Sequence, residues 1–145
     1  MKIEFYLADF IETLVSGKLV AVGLFTDRVI LLNVPFDVPD ASKDAPYAFN
    51  LSAALCPLVE PGDHSLSVAV EYPGGDRGPT APPQSFTTLP GRRINIVVPM
   101  NPLLVPMAGE FALIATVDGK ETRLPFELRV QRLPRPEGAP TSGVT

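Results

Sequence analysis

The side chains that could do chemistry are few. His64 is the single histidine, and general base catalysis or metal ligation near neutral pH would fall to it first. Asp63 and Ser65 flank it. Neighbours along a strand point to opposite faces, so these three cannot form a nucleophile–base–carboxylate relay by themselves. His64 therefore reads as a polar residue opening a strand. Cys56 is the single cysteine and precedes Pro57. A nucleophilic thiolate needs a positively charged or histidine-rich setting, and nothing adjacent in sequence supplies one. A small buried residue is the expectation.

The remaining polar clusters are equally bland. Asp37, Asp40 and Asp44 share one loop, but without the alternating ligand spacing and closing glutamate of a calcium loop. They read as solvated carboxylates. The stretch Gly74-Gly75-Asp76-Arg77-Gly78 lacks the Lys-Ser/Thr ending of a phosphate-binding loop, and no helix follows it. Arg92-Arg93 reads as a solvated strand start. Glu60, Asp63 and Glu71 could be imagined as the paired acids of a glycosidase, but nothing fixes their separation. Aromatic platforms for sugar are scarce too, with no tryptophan and three tyrosines. The expectations are no enzymatic activity, no catalytic residues, no bound metal and no cofactor.

The elements that must position these residues are strands. Seventeen prolines and eleven glycines fall between apolar runs, as in a chain of many short strands, and they argue against a helical protein. The clearest element is a hairpin. Glu110–Val117 leads to Asp118-Gly119, which suits a tight two-residue turn, and a second run extends from Lys120 to Val130. Leu124, Phe126, Leu128 and Val130 alternate with Arg123, Pro125, Glu127 and Arg129, the period of a half-buried strand. The two-residue loop pairs Phe111 with Phe126, Leu113 with Leu124 and Ala115 with Thr122. Pro125 lacks a main-chain donor, so the last strand is expected at a sheet edge.

Earlier in the chain, Ile3, Phe5 and Leu7 alternate with Lys2, Glu4 and Tyr6. Residues 7–15 fit either helical spacing or a strand. A turn at Ser16-Gly17 would make a hairpin pairing Thr13 with Val20 and Ile11 with Val22, and the hairpin is the preferred reading. Leu19–Leu32 reads as one long strand, bent or broken near Gly23 or Asp27-Arg28. A loop over 35–46 is followed by strands at Tyr47–Leu55, at Leu66–Tyr72, at Ser85–Thr88 within the polar stretch 73–92, and at Ile94–Val98. The segment Pro99–Gly109 reads as an apolar connection to the final hairpin. These elements predict an all-β fold, an antiparallel β-sandwich of about seven to nine strands. It would occupy residues 1–132, with a Pro/Gly/Ser/Thr-rich tail over 133–145.

Length and charge set the outer bounds. A chain of 145 residues fits one domain and is long enough to bury a core. A net charge of −4 does not suggest a nucleic-acid partner. No apolar run is long and unbroken enough to span a bilayer, and Glu4 and Asp9 interrupt any secretion signal at the N-terminus. A cytoplasmic location is expected, or a virion if the chain is a phage component.

Three stretches carry a family likeness. They are Leu7-Ala8-Asp9 with residues 16–23, Gly62-Asp63-His64-Ser65-Leu66 with Tyr72-Pro73-Gly74-Gly75, and Met107-Ala108-Gly109-Glu110-Phe111 with Val117-Asp118-Gly119 and Leu124-Pro125-Phe126. Together they resemble a bacterial family of small proteins of unknown function. The resemblance implies an immunoglobulin-like sandwich and the strand reading of residues 7–15. It implies no activity and no functional residues.

What remains is a non-enzymatic interaction module with a protein partner or self-association. The alternatives are a structural component of a larger assembly, such as a phage particle or secretion-type machine, and a small-ligand or carbohydrate binder. The segment Pro99–Ala108 is the candidate contact, with Met100, Leu103, Leu104 and Met107 as its named residues, because a strand connection is normally polar and this one is not. The competing reading is that Leu103, Leu104 and Val105 close one end of the sandwich over its own core.

Overall fold

The hairpin around Asp118-Gly119 forms in the register that its alternation requires. Phe111 pairs with Phe126, Leu113 with Leu124 and Ala115 with Thr122. All four large side chains are buried, and the Phe111 and Phe126 rings stack at 5.8 Å between centroids. Asp118 and Gly119 both take positive φ, which is why Asp-Gly closes this turn.

The computed structural model describes residues 1–16 and 18–137. Gly17, in the expected hairpin turn, and residues 138–145 of the expected tail lie outside the described residues. Among them are nine strands, β1 Lys2–Thr13, β2 Leu19–Phe25, β3 Val29–Val34, β4 Tyr47–Leu58, β5 Gly62–Glu71, β6 Gln84–Thr88, β7 Ile96–Val105, β8 Gly109–Val117 and β9 Lys120–Arg132. A four-stranded sheet runs β2-β1-β4-β7 and a five-stranded sheet β3-β9-β8-β5-β6. Their inner faces share one apolar core, with Phe5, Leu7, Leu51, Leu55 and Val105 from the first and Leu66, Phe111, Leu113, Phe126 and Leu128 from the second.

Residues 7–15 are strand through Thr13, as the hairpin reading expects. The pairing is one residue off, with Thr13 opposite Leu19 and Ile11 opposite Ala21. The cause is the loop length. Leu14 N–H donates to Lys18 O at 2.7 Å, so the closing bond falls one residue earlier than a turn centred on Ser16-Gly17 would put it. At the middle of the hairpin the ladder is interrupted. Asp9 and Gly23 are unpaired, Gly23 has φ +70, and the Asp9 side chain fills the place of a Cβ there. On either side of this kink Ala8 and Ile11 are buried with Ala54, with Leu19 and Val97 packed against them. Ala54 alternates with the inward Ala53 and Leu55, so the hairpin tip covers the outer face of its own sheet.

The long run 19–32 does break at Asp27-Arg28, and there the chain changes sheets. Arg28, with φ 60, holds the corner. Its guanidinium lies 3.8 Å from the centre of the Phe5 ring in one sheet, and its carbonyl accepts from Glu127 N–H in the other.

Two expectations need correction. The last strand is a free edge only up to Phe126, because from Glu127 to Arg132 it pairs in parallel with β3. Pro125 sits on the unpaired part, opposite Ala112 of β8, so the missing donor is accommodated locally rather than along the whole strand. The segment Pro99–Val105 is not a connection. It continues β7 and pairs with β4, Tyr47 opposite Val105 and Phe49 opposite Leu103, with a bulge between Phe49 and Leu51. Its prolines fit because β7 is an edge strand.

Candidate functional site

Extended backbone at the end of β7 gives Leu103, Leu104 and Val105 alternating burial. Leu103 is 4 % exposed and belongs to the core, so it is not a surface contact. Leu104, its neighbour, is 46 % exposed, and Met107 in the following turn is 38 % exposed. Met100 is half-buried against the core. The segment is thus core at Leu103 and Val105 and surface at Leu104, which does not close over the core with them.

On the surface side Leu104 divides two adjoining clefts. One, of about 320 Å3, is lined by Pro46, Tyr72, Pro73, Pro106 and Met107, with Lys43 and Asp76 as its charged members. The other, of about 350 Å3, is lined by Val70, Pro79, Pro99, Met100 and Pro102 among others. Tyr72 and Leu104 belong to both. The Tyr72 ring is fixed edge-on against the buried Phe111 at 5.6 Å. Gly109 brings the Pro73 wall in. With φ +139, its missing Cβ would lie 3.1 Å from Pro73 Cγ. The loop over 35–46 is pinned by Arg132, which donates to Pro35 O and Val38 O and pairs with Asp40 at 2.6 Å. Tyr47 O–H donates to Pro39 O.

The cleft draws residues from three separate segments, and sequence reasoning found only the third of them. Lys43, Pro46, Tyr72, Pro73 and Asp76 were missed. Their one local signal is the cluster of proline and tyrosine at strand ends, which the turn reading absorbed.

His64 occupies a different end of the molecule, and its geometry is closed. Nδ1 is 2.6 Å from Asp118 Oδ2, and Nε2 is 2.7 Å from Glu60 O. Phe86 stacks on the ring at 5.4 Å. Both neighbours are acceptors, so protonation of the ring is favoured. The carboxylate bond to Asp118 and the Glu60 carbonyl push the His64 pKa up, and the same bond, with Ser65 N–H donating to Oδ1, holds Asp118 below the usual carboxylate range. Both ring nitrogens are thus engaged by protein acceptors. Sequence missed Asp118 because its partner lies 54 residues away.

The other candidates are placed as follows. Cys56 is buried, and desolvation raises its thiol pKa above the opposing pull of Arg93, a cation that sequence proximity did not reveal. Arg93 pairs with Glu4 at 2.7 Å. Asp40 is taken by Arg132, and among the described residues no three His, Cys, Asp or Glu side chains are grouped to hold a metal ion. Asp63 accepts from Thr87 O–H, while Glu71 pairs with Arg77 and Arg123. The glycine loop closes on itself, with Gly75 N–H donating to Tyr72 O and Tyr72 N–H to Asp76 O. No helix among the described residues is long and apolar enough to cross a membrane.

Comparison with known protein families decides the kinship. The model of a family of unknown function, DUF6941, matches residues 4–131. The chain belongs to this family. The DUF6941 match runs from β1 into β9 and so contains both the clefts and the His64–Asp118 pair. No curated protein matches the chain.

Proposed function

We propose that this chain is a non-enzymatic β-sandwich interaction module, and that the paired clefts on either side of Leu104 and Tyr72 hold an extended apolar segment of a partner protein. The observation that carries the reading is the shared lining. Two clefts meet at one tyrosine and one leucine and are otherwise walled largely by proline, methionine and valine. Proline walls lose little entropy on docking, and methionine adapts to varied side chains. An aromatic ring between two apolar hollows suits a ligand with two anchor side chains along an extended backbone. The closed geometry of His64 supports the non-enzymatic part.

The immunoglobulin-like assignment belongs to the same proposal. Strand order β9-β8-β5-β6 matches the G-F-C-C′ sheet of that fold, and β1-β4-β7 matches A-B-E. On this reading β2 and β3 are additions after the first strand.

The test is selection from a displayed library of random peptides, followed by binding measurements on the Leu104→Asp, Met107→Asp double variant. Both side chains are substantially exposed, so the variant should fold. The proposal expects apolar, proline-containing peptides that bind the native chain and lose the variant by about tenfold or more. Peptides that bind both equally refute it.

A further inference from the structure

Each sheet of a sandwich has two edges, and an edge is a row of unpaired main-chain donors and acceptors that natural proteins usually guard. Three of the four edges here are guarded. β7 carries Pro99 and Pro102, which have no N–H to offer. β6 is five residues long and polar, Gln84-Ser85-Phe86-Thr87-Thr88. β3 carries Asn33, is followed at once by Pro35, and turns Ile30 and Val34 into the core. The fourth, β2, has no such device. Its sequence is Leu-Val-Ala-Val-Gly-Leu-Phe, without charge, proline or hydrogen-bonding side chain, and every side chain from Val20 to Leu24 is exposed. Val22 is 56 % exposed and Leu24 49 %. Gly23 bends the strand but adds neither charge nor bulk.

We propose that β2 is a homodimer interface, pairing antiparallel with β2 of a second copy around a two-fold axis at Val22. Three observations favour a second copy over an unrelated strand. The first is main-chain fit. Leu14 N–H bonds to Lys18 O at the closed end of the hairpin, and alternation from there turns the main-chain groups of Leu19 and Ala21 away from β1. A Val22-centred register sets Leu19 opposite Phe25 of the other copy and Ala21 opposite Gly23. The second is side-chain fit. The same register sets Val22, the most exposed large apolar side chain of the strand, directly against Val22 of the other copy. The third is charge. Lys18 immediately precedes β2 and Asp27 lies two residues beyond it, so antiparallel pairing brings Lys18 of each copy towards Asp27 of the other, while the neighbouring Arg28 lies on its own Phe5 ring. Two chains of net charge −4 repel as wholes, yet the contact strand itself carries no charge.

The contact is isologous and therefore closes at two copies rather than growing into a fibre. It joins two four-stranded sheets into one continuous sheet. It lies at the opposite edge of that sheet from β7 and does not depend on the cleft proposal.

The experiment uses the full chain in sedimentation velocity across a concentration series, with Val22→Lys, Val22→Glu and their equimolar mixture. The native chain should dimerise reversibly. Each single variant should weaken the dimer about tenfold or more, because identical charges then oppose each other at the axis. The mixture should restore a heterodimer. Thermal melting checks that the variants fold, and Val20→Lys, on the same face of β2 as Val22, replaces either one that does not. A native chain that stays monomeric throughout overturns the proposal, as do lysine variants that dimerise undiminished or a mixture that fails to associate.

Discussion

Leu103 and Leu104 are adjacent and chemically identical, and the structure assigns them opposite fates. Leu103→Ala removes a side chain that is 4 % exposed and sits in the shared core. Buried Leu→Ala changes cost about 2–5 kcal/mol, the spread reflecting how far the site collapses. Leu104 is 46 % exposed, so truncation leaves most of its surroundings unchanged, and its loss should be about 1 kcal/mol or less. For a domain of this size 1 kcal/mol corresponds to roughly 3–4 °C in Tm. Leu103→Ala should thus lower Tm by roughly 6–20 °C and Leu104→Ala by about 4 °C or less. Urea titration followed by circular dichroism gives the free energies directly, and unchanged m-values would show that the unfolded state is not the cause. Equal losses at the two positions, or a larger one at Leu104, would refute the alternation assigned to β7 and with it the placement of the clefts.

Other expectations follow from single contacts. Phe126→Ala should cost about 3–5 kcal/mol in a denaturant titration, because the ring is 2 % exposed and stacks on Phe111. Gly23→Ala should destabilise by about 1–2 kcal/mol from its positive φ alone and further through the clash with Asp9, and Asp9→Ala should recover part of the loss in a double-mutant cycle. The His64–Asp118 pair makes stability depend on pH. His64 has a raised folded pKa, so its contribution is full below the unfolded value of about 6.5 and disappears as pH rises through the folded value. Asp118 has a lowered folded pKa, so its contribution is full above about 3.9 and disappears as pH falls through the folded value. Tm should therefore fall on both sides of a mildly acidic plateau, and Asp118→Asn, which keeps the turn conformation, should flatten the alkaline limb. An unchanged limb in that variant would count against the pair.

The parts of this fold that were legible in sequence are those set by local rules. Asp118-Gly119 fixes its own turn, and the alternation on either side fixes the pairing of Phe111 with Phe126. The break at Asp27-Arg28 could be seen, but not the change of sheet, because that depends on β9 offering a parallel edge. Pro125 signals a missing partner correctly at its own position and says nothing about residues 127–132. Pro99 and Pro102 misled, since their cost in a strand disappears at an edge and edges are a property of the whole sheet. The candidate site was legible only in Met100, Leu104 and Met107. Tyr72, Pro73, Lys43 and Pro46 reach the clefts through the packing of distant loops, and no period or spacing encodes that meeting.

The central claim is that the paired clefts receive an extended apolar segment of a partner protein. Titrating isotope-labelled protein with a display-selected peptide and following amide and methyl chemical shifts tests it most directly. The account predicts saturable shifts concentrated at Tyr72, Met100, Leu104 and Met107, with the His64 end unperturbed. Shifts that centre on His64 or β2 while the cleft residues stay still would contradict it.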